Sequence, residues 1–162
     1  MLCRGNFFLI RGIEMKFSFL SEAFYNEHID HTEIEQKHDR PYVQVIIKVS
    51  SVFFAVPMRS NINHKHAFFT NKEERCGVDF SKAEVITDEI SQIDWNRTPY
   101  LRPDEFKALQ GKEYELEKGM LKYIRTYQKA SLRRDVKRND LLCRFSTLQY
   151  FEAELKGILS GE

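Results

Sequence analysis

Glycine and proline are scarce, seven and four in 162 residues, which excludes collagen-like and low-complexity chains. Cysteine is scarcer. Cys3, Cys76 and Cys143 have no paired spacing, which argues against a secreted disulfide scaffold and fits a reducing cytosol, so a cytoplasmic protein is expected. No apolar run approaches the roughly 20 residues that span a bilayer, and no membrane partner is expected. The opening MLCRGNFFLIRGIE has one short apolar stretch, stopped by Arg11, and lacks the core and cleavage site of a signal peptide. Net charge is nearly absent, with 25 basic against 24 acidic residues.

Aromatic side chains are plentiful. Thirteen Phe and seven Tyr are too many for a disordered chain. The length suits one domain with one core. Met15 opens a second candidate start, MKFSFL. Residues 1–14 are therefore read as an upstream extension outside the fold, and 15–162 as a single domain.

Ser21 is a fitting N-cap for a helix burying Phe24 and Ile29. The polar stretch Glu27 to Arg40 reads as a long loop. Tyr42 to Val49 alternates, with Val43, Val45, Ile47 and Val49 on one face, as a half-buried strand does. Ser50–Ser51 turns the chain, Val52–Val56 returns as a second strand, and Pro57 is expected to end it. Ala83–Thr87 is a third strand. After Pro103 the period becomes helical. Phe106 and Leu109 belong to a short helix ended by Gly111, and Leu116, Met120, Tyr123, Ile124 and Tyr127 form an apolar stripe on a longer one. Ser146 with Gln149 reads as the capping box of a last helix carrying Leu148, Phe151, Leu155 and Leu159. The expected class is α+β, a small antiparallel sheet with helices packed on it.

Charge is segregated along the chain. From Glu84 to Glu117 there are nine acids and four bases. From Lys118 to Arg144 there are nine bases and two acids. Lys118, Lys122, Arg125 and Lys129 recur at helical spacing away from the apolar stripe, and Arg133, Arg134, Lys137 and Arg138 carry the charge on into an expected loop. Such a surface suits phosphates, although a solvated helix face has the same composition.

Residues 57–72, PMRSNINHKHAFFTNK, hold the densest set of reactive side chains: Arg59, Ser60, Asn61, Asn63, His64, Lys65 and His66, just after a strand. Cleavage of RNA by its own 2′-hydroxyl needs a base, an acid and donors for the charge on phosphorus. His64 titrates near neutrality and serves as base or acid. Arg59 and Lys65 suit nonbridging oxygens, and Ser60 and Asn63 supply neutral hydrogen bonds. This inventory requires no metal and no cofactor. Two alternatives stand beside it. The histidines could cap backbone groups in a polar loop, or His64 and His66 could ligate a metal with His28, His31, His38 or Cys76. No Gly-x-Ser-x-Gly elbow surrounds Ser60.

Six segments resemble, in order, the toxins of bacterial type III toxin–antitoxin systems, the ToxN/AbiQ family and most closely its TenpN branch. They are MKFSFLSEAFY from Met15, RPYVQVIIKV from Arg40, FAVPMRSNINHKHAFFTNK from Phe54, CGVDFSKAEVI from Cys76, KGMLKYIRTYQKA from Lys118 and CRFSTLQYF from Cys143. The resemblance implies a compact, strongly bent antiparallel sheet of the Kid/MazF kind surrounded by helices. It also implies metal-independent endoribonuclease activity leaving 2′,3′-cyclic phosphate and 5′-hydroxyl ends. The implied partners are an mRNA substrate and a small repeat RNA antitoxin, folded as a pseudoknot and assembled with the toxin into a hetero-oligomer. The implied role is growth arrest and abortive infection against phage. In that family a strand ending Pro-Leu-Thr-Ser-Pro-Lys carries the catalytic serine. Here Ser60 matches the serine, Arg59 replaces the threonine and Ile62 stands at the lysine, leaving Lys65 or His64 to supply the charge or proton transfer. Arg40 is the nearest match to a functional basic residue before the preceding strand. Lys118 to Arg138 would then grip RNA, with Tyr42, Asn61 and His66 contributing to RNA binding, and Tyr42, Phe68 or Tyr123 available for stacking on bases.

Overall fold

The structure, a computed structural model, describes residues 8–10, 13–34 and 41–159. Among these residues seven strands run β1 (Phe8–Ile10), β2 (Ile13–Ser18), β3 (Gln44–Val49), β4 (Val52–Arg59), β5 (Ala67–Asn71), β6 (Cys76–Asp79) and β7 (Glu84–Ile86). Six helices are α1 (Glu22–Glu27), α2 (Glu89–Gln92), α3 (Pro103–Leu109), α4 (Glu113–Ser131), α5 (Lys137–Phe145) and α6 (Glu152–Leu159). The class is α+β, as expected. All strand pairings are antiparallel, in the order β1-β2-β3-β4-β6-β5, with β7 also on β4.

The β3–β4 hairpin forms the centre of the sheet because both strands carry β-branched and aromatic residues that alternate into the core. Val45, Ile47, Val49, Phe54 and Val56 are buried. Ser50 accepts a positive φ of 57° at the turn. Pro57 does not end β4, which runs on to Arg59. The Met58 N–H points to Val43 O on the β3 side, so the missing donor of Pro57 faces the other edge. There β7 pairs only with Phe53 to Ala55, and β6 begins at Met58. Proline therefore falls in the gap between two partner strands, where no ladder bond is lost.

The backbone of Phe8–Ile10, within the stretch read as an upstream extension, pairs with β2. Residues 1–7, 11 and 12 lie outside the described residues. Ser21 caps α1 by accepting from the Phe24 N–H at 3.1 Å. Phe24 is buried, but Ile29 lies past the helix end and is exposed, contrary to expectation.

Helix α4 forms because its apolar stripe can pack against β3. Leu116, Met120, Tyr123, Ile124 and Tyr127 are all buried. Gly119 interrupts a long helix at some cost, and the reason is steric: a Cβ there would meet the Phe80 ring at 2.7 Å. Phe80 begins the 3₁₀ turn after β6, so this contact docks the end of β6 on α4.

Two expectations at the C-terminal end are corrected. Lys137 and Arg138 belong to the first turn of α5 and not to a loop. Ser146 caps a 3₁₀ turn, Thr147–Tyr150, by accepting from the Leu148 N–H at 3.2 Å, and α6 starts only at Glu152. Gln149 Nε2 donates to the carbonyls of Arg144 and Ser146, so no capping box closes.

Strands β5 and β6 approach closely at Gly77. A Cβ there would collide with Phe68 O, a backbone atom that cannot step aside. Gly77→Ala is expected to destabilise the fold by about 2 kcal/mol or more, seen as a lower urea midpoint. An unchanged midpoint would contradict this packing.

Candidate functional site

Residues 59–66 leave β4 and return as β5, and one buried carboxylate organises what they carry. Asp79, at the end of β6, is fully buried. Arg59 Nη1 donates to its Oδ2 at 2.7 Å. Ser81 donates to its Oδ1 through the backbone N–H at 3.0 Å and through Oγ at 2.6 Å. His64 Nε2 lies 3.3 Å from the same oxygen and 3.1 Å from Ser81 Oγ. Burial alone would raise the Asp79 carboxyl. The hydrogen bonds from His64, Ser81 and Arg59 hold it below its ordinary value instead.

The tautomer of His64 follows from its other side. The His66 backbone N–H donates to His64 Nδ1 at 3.1 Å, so that nitrogen carries a lone pair and the neutral ring keeps its proton on Nε2. The Ser81 hydroxyl spends its hydrogen on Asp79, which leaves Oγ to accept from His64. Both nitrogens of His64 are thus engaged, and one of them caps a backbone group.

His66 differs. Its ring lies against Tyr123 of α4, centroids 5.2 Å apart, and 5.8 Å from the His64 ring. Neither ring nitrogen of His66 makes a hydrogen bond to a described residue. Burial, then the charges of His64, Lys65 and Lys122, outweigh Asp79 and lower its pKa from the ordinary histidine value. The loop therefore meets helix α4 at His66 and Tyr123.

Arg75 holds the loop from outside. Its Nε donates to Ile62 O and its Nη2 to His64 O at 2.8 Å, while Ile62 N donates to Arg75 O at 3.0 Å. Ile62 is buried and pins the segment. Asn61 turns at φ 56°. Ser60, Asn61, Asn63 and Lys65 are exposed, and their side chains have no hydrogen-bond partner among the described residues. The guanidinium of Arg59 also lies 5.8 Å from the Tyr42 ring centroid. Arg40 and His38 lie outside the described residues.

On α4, Lys118, Lys122, Arg125 and Lys129 are exposed along one stripe. The charge beyond it is partly answered locally. Arg133 forms a two-pronged pair with Asp135, both bonds 3.1 Å, and Arg134 donates to Asp140 at 3.0 and 2.9 Å. Lys137 and Arg138 are exposed at the start of α5. Tyr123 is buried, donating to Ser146 Oγ at 2.7 Å, and Phe68 is half-buried and packed on the core.

Among the described residues no three His, Cys, Asp or Glu side chains gather as metal ligands. His28 stacks on Phe24 and His31 on Tyr150, while Cys76 donates to Glu74 O. No described helix is long and apolar enough to cross a membrane.

The sequence reading missed Asp79, Ser81 and Arg75. A lone aspartate in CGVDFSK carries no spacing signal of its own. Only the pairing Arg59↔Gly77 brings it beside the loop. Comparison of the chain with protein-family models, with curated proteins and with solved structures gives no match in any of the three.

Proposed function

We propose that this chain is a metal-independent endoribonuclease, the toxin of a type III toxin–antitoxin system of the ToxN/AbiQ kind with a bent, Kid/MazF-like sheet. It cuts mRNA by 2′-hydroxyl attack and is held inactive by a repeat RNA. One observation carries the reading: an unengaged imidazole, His66, stands where a loop of exposed hydroxyl, amide and ammonium groups meets the cationic stripe of α4. The six ordered segments that resemble the family support it from the sequence.

In this reading His66 accepts the 2′ proton as O2′ bonds to phosphorus. Lys65 and Lys122 hold the nonbridging oxygens, and Ser60 and Asn63 orient the phosphate. The bond from phosphorus to the 5′ oxygen breaks, and that oxygen takes a proton from the ammonium of Lys65. Asp79, Arg59 and His64 are positioning residues that fix the loop. Helix α5 adds to the RNA surface. Its N-cap, Val136, offers no side-chain cap, and Lys137 and Arg138 sit at its positive end, an arrangement that costs locally and suits an incoming phosphate.

The second reading is a non-catalytic RNA-binding module, favoured by the engagement of both His64 nitrogens in the loop's own bonds. Purified protein incubated with mRNA in EDTA separates the two. Cleavage with 5′-hydroxyl ends is expected, with loss of toxicity in Ser60→Ala and in His64→Ala. Binding without product would overturn the nuclease reading. The cationic stripe is tested apart from chemistry. Lys118→Ala with Lys129→Ala is expected to lower the slope of log affinity against log salt by roughly 0.7 for each phosphate no longer neutralised, and an unchanged slope would remove α4 from the RNA surface.

A further inference from the structure

We infer that the cleft between the end of β2 and residues 93–101 seats one unpaired nucleobase of a single-stranded RNA. Trp95 and Tyr100 supply the stacking faces, and Arg97 holds a flanking phosphate. The choice of RNA as the ligand rests on the function proposed above; the cleft lies outside the residues that reading uses.

The cleft has a volume of about 220 Å³ and is lined by Lys16, Phe17, Trp95, Arg97, Tyr100 and Phe106 among others. That is smaller than the pockets that enclose a whole drug-sized ligand and suits a single planar ring with its backbone running outside. Its walls are anchored. Asp94 N donates to Phe19 O at 2.9 Å, and Leu20 bridges Ile93. Trp95 is 58% exposed and Tyr100 79%. Large aromatic groups left this open mark an interaction site.

The exposed indole is nevertheless held in place. Trp95 Nε1 donates to Glu89 O at 3.0 Å, and Lys16 Nζ lies 4.3 Å from the ring centroid. The guanidinium of Arg97 lies 4.8 Å from the Phe19 ring. Lys16 covers one face of the indole, and exposed aromatic rings beside a cation such as Arg97 are the arrangement that binds unpaired bases without sequence preference. Glu89 answers Lys16, which leaves the phosphate to Arg97, and Asp94 is turned to its neighbouring backbone. Glu89 lies 4.0 Å from Lys16, and Asp94 Oδ1 accepts from Asn96 N at 3.0 Å.

Trp95 is the chain's single tryptophan, so intrinsic fluorescence reads this cleft directly. The probe is a 2′-O-methyl oligoadenylate hexamer, which has no 2′-hydroxyl to react. A saturable quench is expected, and a heparin fragment, a polyanion without bases, should leave the emission unchanged. Arg97→Ala with Tyr100→Ala should raise the RNA concentration needed by about tenfold, with an unaltered thermal midpoint showing that the fold is intact. If the pair fails to fold, Tyr100→Ala alone should still raise it severalfold. No quench, an equal response to heparin, or an unshifted titration in the folded variant would overturn the inference. Transcript cleavage measured in parallel keeps the two proposals apart. Quench without cleavage removes the nuclease and keeps the cleft, and cleavage without quench does the reverse.

Discussion

Asp79→Asn is expected to cost about 3 kcal/mol of stability and to abolish RNA cleavage. Asparagine keeps the shape but loses the charge that Arg59 answers at 2.7 Å, and it cannot accept from Arg59, Ser81 and His64 together. The cost sits at the lower end of that for a broken buried pair because the Arg59 side chain is 22% exposed and water can partly replace the carboxylate. The loop loses its anchor, so activity falls even where the fold survives. The pH dependence has a definite sign. The folded carboxyl binds its proton less readily than the unfolded one. Its contribution is therefore complete above the unfolded value of about 3.9 and is lost as pH falls through the lower folded value. Denaturant midpoints of wild type and variant should differ at neutral pH and converge in strong acid. A constant difference would mean that Asp79 is not the charged centre of this network.

His66→Ala is expected to lower the cleavage rate by about 10² to 10⁴ with little change in RNA affinity. The imidazole acts as a base only when neutral. Burial and the neighbouring cations lower its pKa, so the acid limb of the rate profile should lie below the ordinary histidine value of about 6.5. Activity should rise with pH through that limb and be level at neutrality. Lys122→Ala removes one of the lowering charges and should move the limb upward, a shift that a purely structural lysine would not cause. His64→Ala should act differently, by loosening the loop, with a lower unfolding midpoint accompanying the loss of activity. A His66→Ala enzyme that cleaves at the wild-type rate would show that another group takes the proton.

The difference between these two histidines shows where the sequence stops informing. His64 and His66 are equivalent in the string NHKH. They part because one backbone N–H reaches Nδ1 of the first, and because Asp79, fifteen positions along, closes on its Nε2. Neither bond has a sequence signature. Helix α4 is legible for the opposite reason: its buried and cationic stripes follow a local period that needs no tertiary information. Strand β5 is hidden because Ala67–Asn71 sits within a polar cluster and all five of its residues are only half-buried. Pro57 misleads because the rule that proline ends a strand assumes partners on both edges, and here one edge changes partner at that residue. Helix α5 lies within the basic run, where charge masks a helix that buries Cys143 on its inner side.

The central claim is that the ribose hydroxyl beside the scissile phosphate is the nucleophile and that the 59–66 loop drives it. The most direct measurement uses a short RNA carrying one 2′-deoxynucleotide at the mapped cleavage position. The deoxy substrate should bind as well as its parent and remain whole, while the parent is cut with or without chelator. Cleavage of the deoxy substrate at the same position would contradict the account.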